Sequence, residues 1–164
     1  MVASAVAECD RGLELRFTAG ETGLRSIEFD FHGPGAPPAT PGSPARAVLD
    51  LAVDQLRAYF AGRLRDFTIP LDPRGTDFQL RVWRHLETIR FGEVRSYAQV
   101  AGAIGAPKAV RAVGAANGSN PIPIVVPCHR VIGSSGKLVG YGGGLPLKKR
   151  LLELEGCNMV LFRR

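Results

Sequence analysis

Cys128 stands in the run Pro127-Cys128-His129-Arg130, where its neighbours could make it a nucleophile. A thiolate is the reactive form of cysteine, and nearby histidine and arginine side chains lower the pKa of a thiol. Pro127 restricts the backbone and has no N–H to donate. Most free cysteines, however, are small buried apolar residues, and adjacency along the chain does not prove that side chains meet. The run indicates a cysteine–histidine pair as the first candidate for chemistry.

The remaining cysteines and histidines do not suggest a second site. Cys9 and Cys157 bring the cysteine count to three, an odd number without short pair spacing, which argues against a disulfide framework or a zinc knuckle. Outside the Cys128 run, Cys9, His32 and His85 leave a four-ligand zinc site incomplete. We therefore expect no metal and no cofactor.

The positive charge of the chain is concentrated in its second half. Residues 1–74 hold 8 Lys/Arg and 10 Asp/Glu, whereas residues 75–164 hold 13 Lys/Arg and 5 Asp/Glu. This asymmetry favours a polyanionic partner such as nucleic acid, although a solvated basic surface explains the charge equally well. Apolar runs are shorter than the ~20 residues of a membrane helix, and a signal-peptide pattern is missing. A soluble cytoplasmic protein with no membrane partner is expected.

The first half predicts a small α/β domain, residues 1–74. Gly12–Gly33 alternates between apolar and polar residues as a pair of strands, with a turn at Glu21–Gly23. Residues 33–45 predict an exposed loop, since prolines and glycines dominate the segment. Thr68–Asp72 predicts a short strand. Between loop and strand, a helix is indicated by apolar residues at helical spacing, followed by a C-capping glycine: Leu49, Val53, Leu56, Phe60 and Gly62.

The second half, residues 75–164, predicts mostly helices. Capping boxes at Thr76/Gln79 and Ser96/Gln99 each start one. The second of these helices, Tyr97–Ile104, is followed by Gly105 and by another helix over Lys108–Asn117. This pattern is typical of a helix-turn-helix, although many helical corners share it, and its place in the basic half favours DNA binding. Beyond it, the sequence predicts a buried extended segment at Ile122–Val126 and a last helix between Pro146 and Gly156.

The motifs together resemble a known family. Pro127-Cys128-His129-Arg130-Val131 is similar to the signature of the methylated-DNA–protein-cysteine methyltransferases, also called O6-alkylguanine-DNA alkyltransferases. The resemblance continues, in the family's order over about residues 55–156, at Gly75-Thr76-Asp77-Phe78-Gln79, Ser96-Tyr97, Arg111-Ala112-Val113-Gly114, Asn120-Pro121-Ile122-Pro123, Gly140-Tyr141-Gly142-Gly143-Gly144-Leu145 and Leu152-Glu153-Leu154-Glu155-Gly156.

The resemblance implies an α/β fold and a DNA repair reaction. The N-terminal domain would be ribonuclease H-like, with a small antiparallel sheet and a helix, and the C-terminal domain a mostly helical, winged helix-turn-helix-like unit. Cys128 would take the alkyl group from O6-alkylguanine, and from O4-alkylthymine, in double-stranded DNA. The resulting thioether has no good leaving group, so each molecule would act once. A monomer is expected, with cooperative assembly on DNA left open.

The resemblance also implies catalytic roles. His129 would be the general base, acting through a water, with Glu155 orienting its ring. Asn120 would bridge the segments around Cys128, and Tyr97 would give its phenolic proton to the departing base. Each has a plainer alternative, because a glutamate at a helix end is usually solvated, an Asn-Pro pair often forms a turn, and a tyrosine at a helix start is often half-buried packing.

Substrate and DNA contacts are implied in the same way. The carbonyls of Cys128 and Val131 and the N–H of Gly142 would read the base, Tyr141 would wall the alkyl pocket, and Ser96 belongs to the same region. Gly142 stands where many relatives carry serine. Arg111 would fill the stack vacated by a flipped nucleotide, with its helix in the minor groove. The other candidate DNA contacts are Lys108, Ala112, Gly114, Arg95 and Ser119.

Small residues along the predicted second helix fit close approach to DNA, and Gly114 costs helix stability, which suggests crowding around it. A helix packed tightly on the protein itself is the alternative. Two other functions compete: a repair-signalling module that recognises alkylated bases, whose known examples lack the cysteine, and a cysteine hydrolase using Cys128 and His129. Cys128 argues against the first, and the hydrolase would require turnover.

Overall fold

The computed structural model describes residues 1–136 and 138–157, and the chain divides into two compact units, Met1–Arg74 and Gly75–Arg164. The first contains strands β1 (Ala3–Asp10), β2 (Leu13–Ala19) and β3 (Leu24–Glu28) and helix α1 (Pro44–Phe60). The second contains α2 (Asp77–Leu86), β4 (Arg95–Ser96), α3 (Tyr97–Ala103), α4 (Val110–Gly118), a 3₁₀ turn (Cys128–Arg130), β5 (Val131–Ile132) and α5 (Leu145–Leu154).

The first unit is an antiparallel sheet in the order β1-β2-β3, with α1 packed on β1 and β2. The predicted strand pair corresponds to β2 and β3, and Phe17 on β2 pairs with Ala5 and Ile27 on either side. The prediction missed β1, whose small residues carry a weak apolar pattern. It also extended β3 too far, because Phe29 and Phe31 lie beyond its end at Glu28. The sheet and helix confirm the small α/β domain.

Helix α1 begins where the proline-rich loop ends. Ser43 caps it by accepting a hydrogen bond from the Arg46 N–H at 3.2 Å, and Gly62 follows its end with a φ of 76°. The predicted strand at Thr68–Asp72 is wrong in extent. Only Leu71 forms a bridge, with Leu24, because the flanking prolines have no N–H to extend a ladder.

The proline-rich loop is exposed, as predicted, but it is attached to the sheet. The Arg16 guanidinium donates to the carbonyl of Gly33 at 2.9 Å and pairs with the Glu28 carboxylate at 3.0 and 3.1 Å. The Ser4 N–H donates to the carbonyl of Pro37 at 2.9 Å. A buried arginine therefore holds a segment that has no regular structure of its own.

Both predicted capping boxes form in the second unit. Thr76 and Gln79 exchange side-chain and backbone hydrogen bonds at the start of α2, and Ser96 and Gln99 do the same at the start of α3. Helix α4 starts two residues later than predicted, because Ala106 to Ala109 close a turn first. Arg111 is therefore the second residue of α4 rather than the fourth.

Helices α2, α3 and α4 pack on one another around buried Val82, Leu86, Val100 and Val113. The indole N–H of Trp83 donates to the carbonyl of Ala116 at 2.8 Å and ties α2 to α4. Strands β4 and β5 pair in parallel, with Ser96 opposite Ile132. This pairing places the first turn of α3 beside the turn that carries Cys128.

The segment Ile122–Val126 is buried, as predicted, but it is not extended. The Val126 N–H donates back to the carbonyl of Ile122 at 2.9 Å, and Ile124 has a φ of 74°. That left-handed conformation is strained for a β-branched residue. Within residues 1–136 and 138–157, no helix is both long enough and apolar enough to cross a membrane.

We predict that Leu86→Ala destabilises the second unit by about 2–5 kcal/mol, because Leu86 is fully buried among the three helices. Leu145→Ala is the matched control, since Leu145 is 44% exposed, and it should cost less than about 0.5 kcal/mol. Urea unfolding followed by the fluorescence of Trp83, the single tryptophan, measures both. Equal midpoints for the two variants would contradict this packing.

Candidate active site

Cys128 is the first residue of a 3₁₀ turn that runs to Arg130, and it is 5% exposed. Its N–H donates to the carbonyl of Val126 at 2.8 Å, which closes the chain tightly before the turn. A 3₁₀ turn has three residues per turn, so the side chains of consecutive residues point about 120° apart. Adjacency in sequence therefore does not by itself bring the His129 and Arg130 side chains to the thiol.

His129 and Arg130 both reach the Glu155 carboxylate, at the C-terminal end of α5. His129 Nε2 lies 2.7 Å from Oε2, and Arg130 donates through Nε and Nη2 at 2.7 and 3.0 Å. Arg130 also donates to the carbonyl of Ile89 at 2.6 Å. The carboxylate has no exposed surface, so Glu155 is not the solvated helix-end residue of the plainer alternative.

The charges of this cluster leave histidine neutral. Burial alone would raise the pKa of Glu155, but hydrogen bonds and charge from His129 and Arg130 lower it to about 2. Burial lowers the pKa of His129, against the attraction of Glu155, and Arg130 lowers it further. Arg130 is thus the cationic partner of the carboxylate. A neutral His129 that donates Nε2–H to Glu155 keeps a lone pair on Nδ1.

His129 Nδ1 is buried and makes no hydrogen bond with any described residue. It is the free basic atom of the cluster, and the Cys128 thiol, one residue earlier in the chain, is a group whose chemistry needs a base. Burial raises the pKa of that thiol, while the Asn120 side chain, the Lys148 charge and backbone N–H groups lower it. The Arg130 guanidinium, adjacent to the cysteine in sequence, is instead engaged by Glu155.

Asn120 lies at the base of the turn before Cys128. Its Nδ2 donates to the carbonyl of Val126 at 2.8 Å, and its Oδ1 accepts from the Ile122 N–H at 3.0 Å. The side chain thereby clamps both ends of the strained segment around Ile124. The bridging geometry and the Asn-Pro turn are both present.

Lys148 is a site residue that sequence reasoning missed. It is 0% exposed on α5, and its ammonium donates to the carbonyls of Val131 and Val139 at 2.8 Å each, and more weakly to Gly140 at 3.4 Å. Burial lowers its pKa to about 8, against the opposing effect of Cys128. The sequence signal that could have found it is a charged residue on the apolar face of a helix, because Lys148 shares that face of α5 with Leu151 and Leu152.

Tyr97 is the first residue of α3, and its hydroxyl lies 3.4 Å from the carbonyl of Val139. Burial raises its pKa, and so does the neighbouring Cys128, which places the phenol close to the thiol. Asn117, also missed from the sequence, donates from Nδ2 to the carbonyl of Cys128 at 3.3 Å. The β4–β5 pairing and α4 thus bring a phenol and an amide to the cysteine.

The predicted substrate contacts are distributed over two segments. Val131 is buried on β5, and its carbonyl already accepts from Lys148. Tyr141 and Gly142 lie on the loop before α5, where a Cβ added to Gly142 would meet no atom within 4 Å. The Ser96 hydroxyl caps α3, accepting from the Gln99 N–H at 3.1 Å, so it is already engaged.

The candidate DNA contacts form one exposed face only in part. Arg111 and Ala112 are exposed on α4, and Lys108 is exposed just before it. The Arg95 guanidinium pairs with Glu93 at 3.2 Å, and the Ser119 hydroxyl bonds within the unit, so both are already engaged.

Gly114 lies half-buried on α4, and a Cβ there would meet only the Tyr97 ring, at 3.9 Å. This is ordinary contact, so the alternative of a helix packed tightly on the protein at this point was wrong, and close approach to DNA stays a prediction. The space beside Gly114 and Ala112 is open to the outside of the unit.

Comparison with known proteins decides the family. Residues 77–157 match the family described as 6-O-methylguanine DNA methyltransferase, DNA binding domain, and residues 5–73 match its ribonuclease-like domain. The chain belongs to this family. The resemblance inferred from the motifs, the ribonuclease-like N-terminal domain and the DNA-binding C-terminal domain are therefore confirmed. Family membership makes the chain a DNA-binding methyltransferase of DNA repair.

Relatives and solved structures agree with the assignment. The methylated-DNA–protein-cysteine methyltransferase of Mycobacterium bovis is 58% identical over 134 residues, which cover 82% of this chain and 79% of the relative. The crystal structure of the Mycobacterium tuberculosis O6-methylguanine methyltransferase has a TM-score of 0.82 at 49% identity, covering 94% of this chain and 93% of the other. The same protein in complex with DNA gives 0.79 at 49% identity, covering 94% and 91%.

We predict that Glu155→Gln flattens the acid branch of the stability profile. A carboxyl with a pKa of about 2 in the folded protein, against 4.5 when unfolded, contributes stability above pH 4.5 and loses it as pH falls towards 2. The shift corresponds to about 3 kcal/mol. Urea midpoints at pH 2 to 6 measure it, with the exposed Glu153→Gln on the same helix as control. If the Glu155→Gln profile is as steep as that of the control, the shift is contradicted.

We predict that Lys148→Met raises the pKa of the Cys128 thiol, because the buried positive charge that favours the thiolate is removed. The pH dependence of iodoacetamide alkylation at Cys128, located by peptide mass spectrometry, measures that pKa. Lys149→Met is the control, since Lys149 is exposed on the same helix. An alkylation profile that is identical in all three proteins would show that the ammonium does not act on the thiol.

Proposed function

We propose that the chain transfers an alkyl group from O6-alkylguanine in double-stranded DNA to the sulfur of Cys128, once per molecule. The observation that carries the proposal is the buried basic atom His129 Nδ1, which belongs to the residue after Cys128 and to a ring that the Glu155 carboxylate holds in place. Since burial keeps the thiol protonated at rest, a base must take its proton when the substrate arrives. O4-alkylthymine, with the same kind of electrophilic carbon, is a second substrate.

The proposed step forms an S–C bond and breaks the C–O6 bond of the substrate. The Cys128 proton passes to His129 Nδ1, relayed by a water as the family resemblance implies. The departing guanine takes a proton from the Tyr97 hydroxyl, which lies close to the thiol. The product is a thioether, which neither water nor a second substrate displaces. The protein is therefore both catalyst and consumed reagent.

Nucleotide flipping is part of the proposal, because the buried cysteine cannot reach O6 within a base stack. Arg111 is exposed near the start of α4, where its side chain can fill the vacated position. Ala112 and Gly114 beside it leave room for a close backbone approach. Lys108 adds positive charge next to the same helix. The base would be read by the carbonyls of Cys128 and Val131 and by the N–H of Gly142, with Tyr141 against the alkyl group.

The decisive experiment is a titration with duplex DNA that contains O6-methylguanine. We expect transfer to stop at one equivalent per protein molecule, with S-methylcysteine at Cys128 by peptide mass spectrometry. Cys128→Ser should show no transfer, whereas Cys157→Ser, which removes another buried thiol, should retain it. Turnover beyond one equivalent would instead support a hydrolase, and binding without transfer would support a recognition module.

We predict that Arg111→Ala slows repair of duplex DNA about 10-fold or more, because filling the vacated stack offsets an extrusion cost of a few kcal/mol. Transfer from free O6-benzylguanine, which needs no extrusion, should change less than about twofold. The exposed Arg84→Ala on α2 serves as a charge-matched control. Equal losses on both substrates would remove the intercalating role from Arg111.

A further inference from the structure

Asn117 has a buried side chain that joins two groups of the proposed reaction. It lies near the end of α4, is 6% exposed, and donates from Nδ2 to the carbonyl of Cys128 at 3.3 Å. One turn earlier on the same helix, Gly114 faces the ring of Tyr97. The end of α4 is thus in contact with both the turn that holds the thiol and the helix that holds the phenol.

The Asn117 side chain also lies close enough to the Tyr97 hydroxyl to change its pKa. Burial raises the pKa of Tyr97, and Cys128 raises it further, whereas Asn117 lowers it. A neighbour lowers the pKa of a phenol when it donates to the oxygen and so favours the phenolate. The hydroxyl proton itself has only a weak acceptor in the Val139 carbonyl, at 3.4 Å, so it can turn towards a substrate.

The oxygen of the Asn117 side-chain amide has no hydrogen-bond donor in the described part of the chain. This Oδ1 atom is buried. An unpaired buried acceptor costs about 1–3 kcal/mol, so an apolar residue of similar size would serve the fold better at that end. The side chain is therefore explained by what its N–H groups do rather than by the stability it adds.

We propose that Asn117 is a positioning residue that holds the Tyr97 phenol beside the thiol, with one amide N–H on the Cys128 carbonyl and the other directed at the phenol oxygen. In the proposed alkyl transfer, on which this inference rests, Tyr97 gives its proton to a ring nitrogen of the departing guanine. The phenolate left behind is stabilised by the Asn117 N–H. Proton balance is restored when the proton that His129 took from the thiol returns to the phenolate through solvent.

The same amide couples this proton donor to base recognition. The carbonyl of Cys128 is one of the groups proposed to accept from the base, and Asn117 fixes its direction. A carboxylate at position 117 would lose the donor and repel the phenolate. A leucine would lose both hydrogen bonds. The leucine substitution should slow transfer from guanine while leaving the intrinsic reactivity of the thiol in place, whereas the carboxylate would also repel the thiolate.

The test compares two alkyl donors in a double-mutant cycle with Tyr97→Phe. For Asn117→Leu we expect transfer from O6-benzylguanine to slow about 10- to 100-fold, as for loss of a hydrogen bond to a charged group. Alkylation of Cys128 by iodoacetamide, whose iodide leaves without a proton, should change less than about twofold. In the Tyr97→Phe background the Asn117→Leu effect on O6-benzylguanine should shrink to the part that acts through the Cys128 carbonyl.

Two results would overturn the inference: an equal loss with iodoacetamide, which indicates a structural role, or an undiminished loss in the Tyr97→Phe background. If Asn117→Leu lacks native Trp83 fluorescence, Asn117→Ala, which removes both N–H donors without adding a charge, takes its place in the cycle, with the same expectations. Failure of the proposed function itself is distinguishable, because the unmodified protein would then show no transfer from O6-benzylguanine at all.

Discussion

The site depends on one buried carboxylate shared by two side chains. Glu155 accepts hydrogen bonds from both His129 and Arg130, which lie next to Cys128 on the 3₁₀ turn. A buried carboxylate needs a partner, and Arg130 supplies the compensating charge. Because the arginine balances the charge, histidine remains neutral and free to accept a proton. Arg130 also bonds to the Ile89 carbonyl beyond the end of α2, so the same ion pair joins three parts of the unit.

This arrangement assigns different tasks to residues that are adjacent in sequence. The turn directs Cys128 to one side, while His129 and Arg130 point to Glu155. The groups that favour the thiolate come from elsewhere: Asn120 from the turn before the cysteine, Lys148 from α5 and backbone N–H groups. Lys148 also holds the Val131 and Val139 carbonyls, so its charge and its hydrogen bonds act on the same small region.

Much of the fold could be predicted from the sequence where local chemistry determines the structure. The capping boxes at Thr76 and Ser96 start their helices as expected, because a cap is a short-range interaction. The strand β1 and the turn around Ile124 were not predicted. β1 is built from small residues that gain stability only from pairing with β2, and the turn depends on Asn120 holding a conformation that isoleucine does not prefer. Both β1 and the turn around Ile124 therefore depend on tertiary contacts, which a local sequence pattern does not reveal.

The candidate site shows the same contrast between what local sequence predicts and what tertiary contacts determine. Cys128 and His129 could be proposed from their run and Glu155 from the family motif, but Lys148 and Asn117 could not, because their roles require backbone carbonyls that are distant in sequence. Polar residues on the buried face of a helix, as at Lys148, are the signal that was available. The sequence could not show which group Arg130 contacts, and in the folded protein its guanidinium pairs with Glu155.

Burial of the Cys128 thiol has a consequence for how long an unused molecule lasts. Peroxides and glutathione disulfide react with accessible thiolates, whereas Cys128 is 5% exposed and burial favours its protonated form. If the proposed transfer consumes the cysteine, this shielding preserves each unused molecule from ambient oxidants until it meets a damaged base.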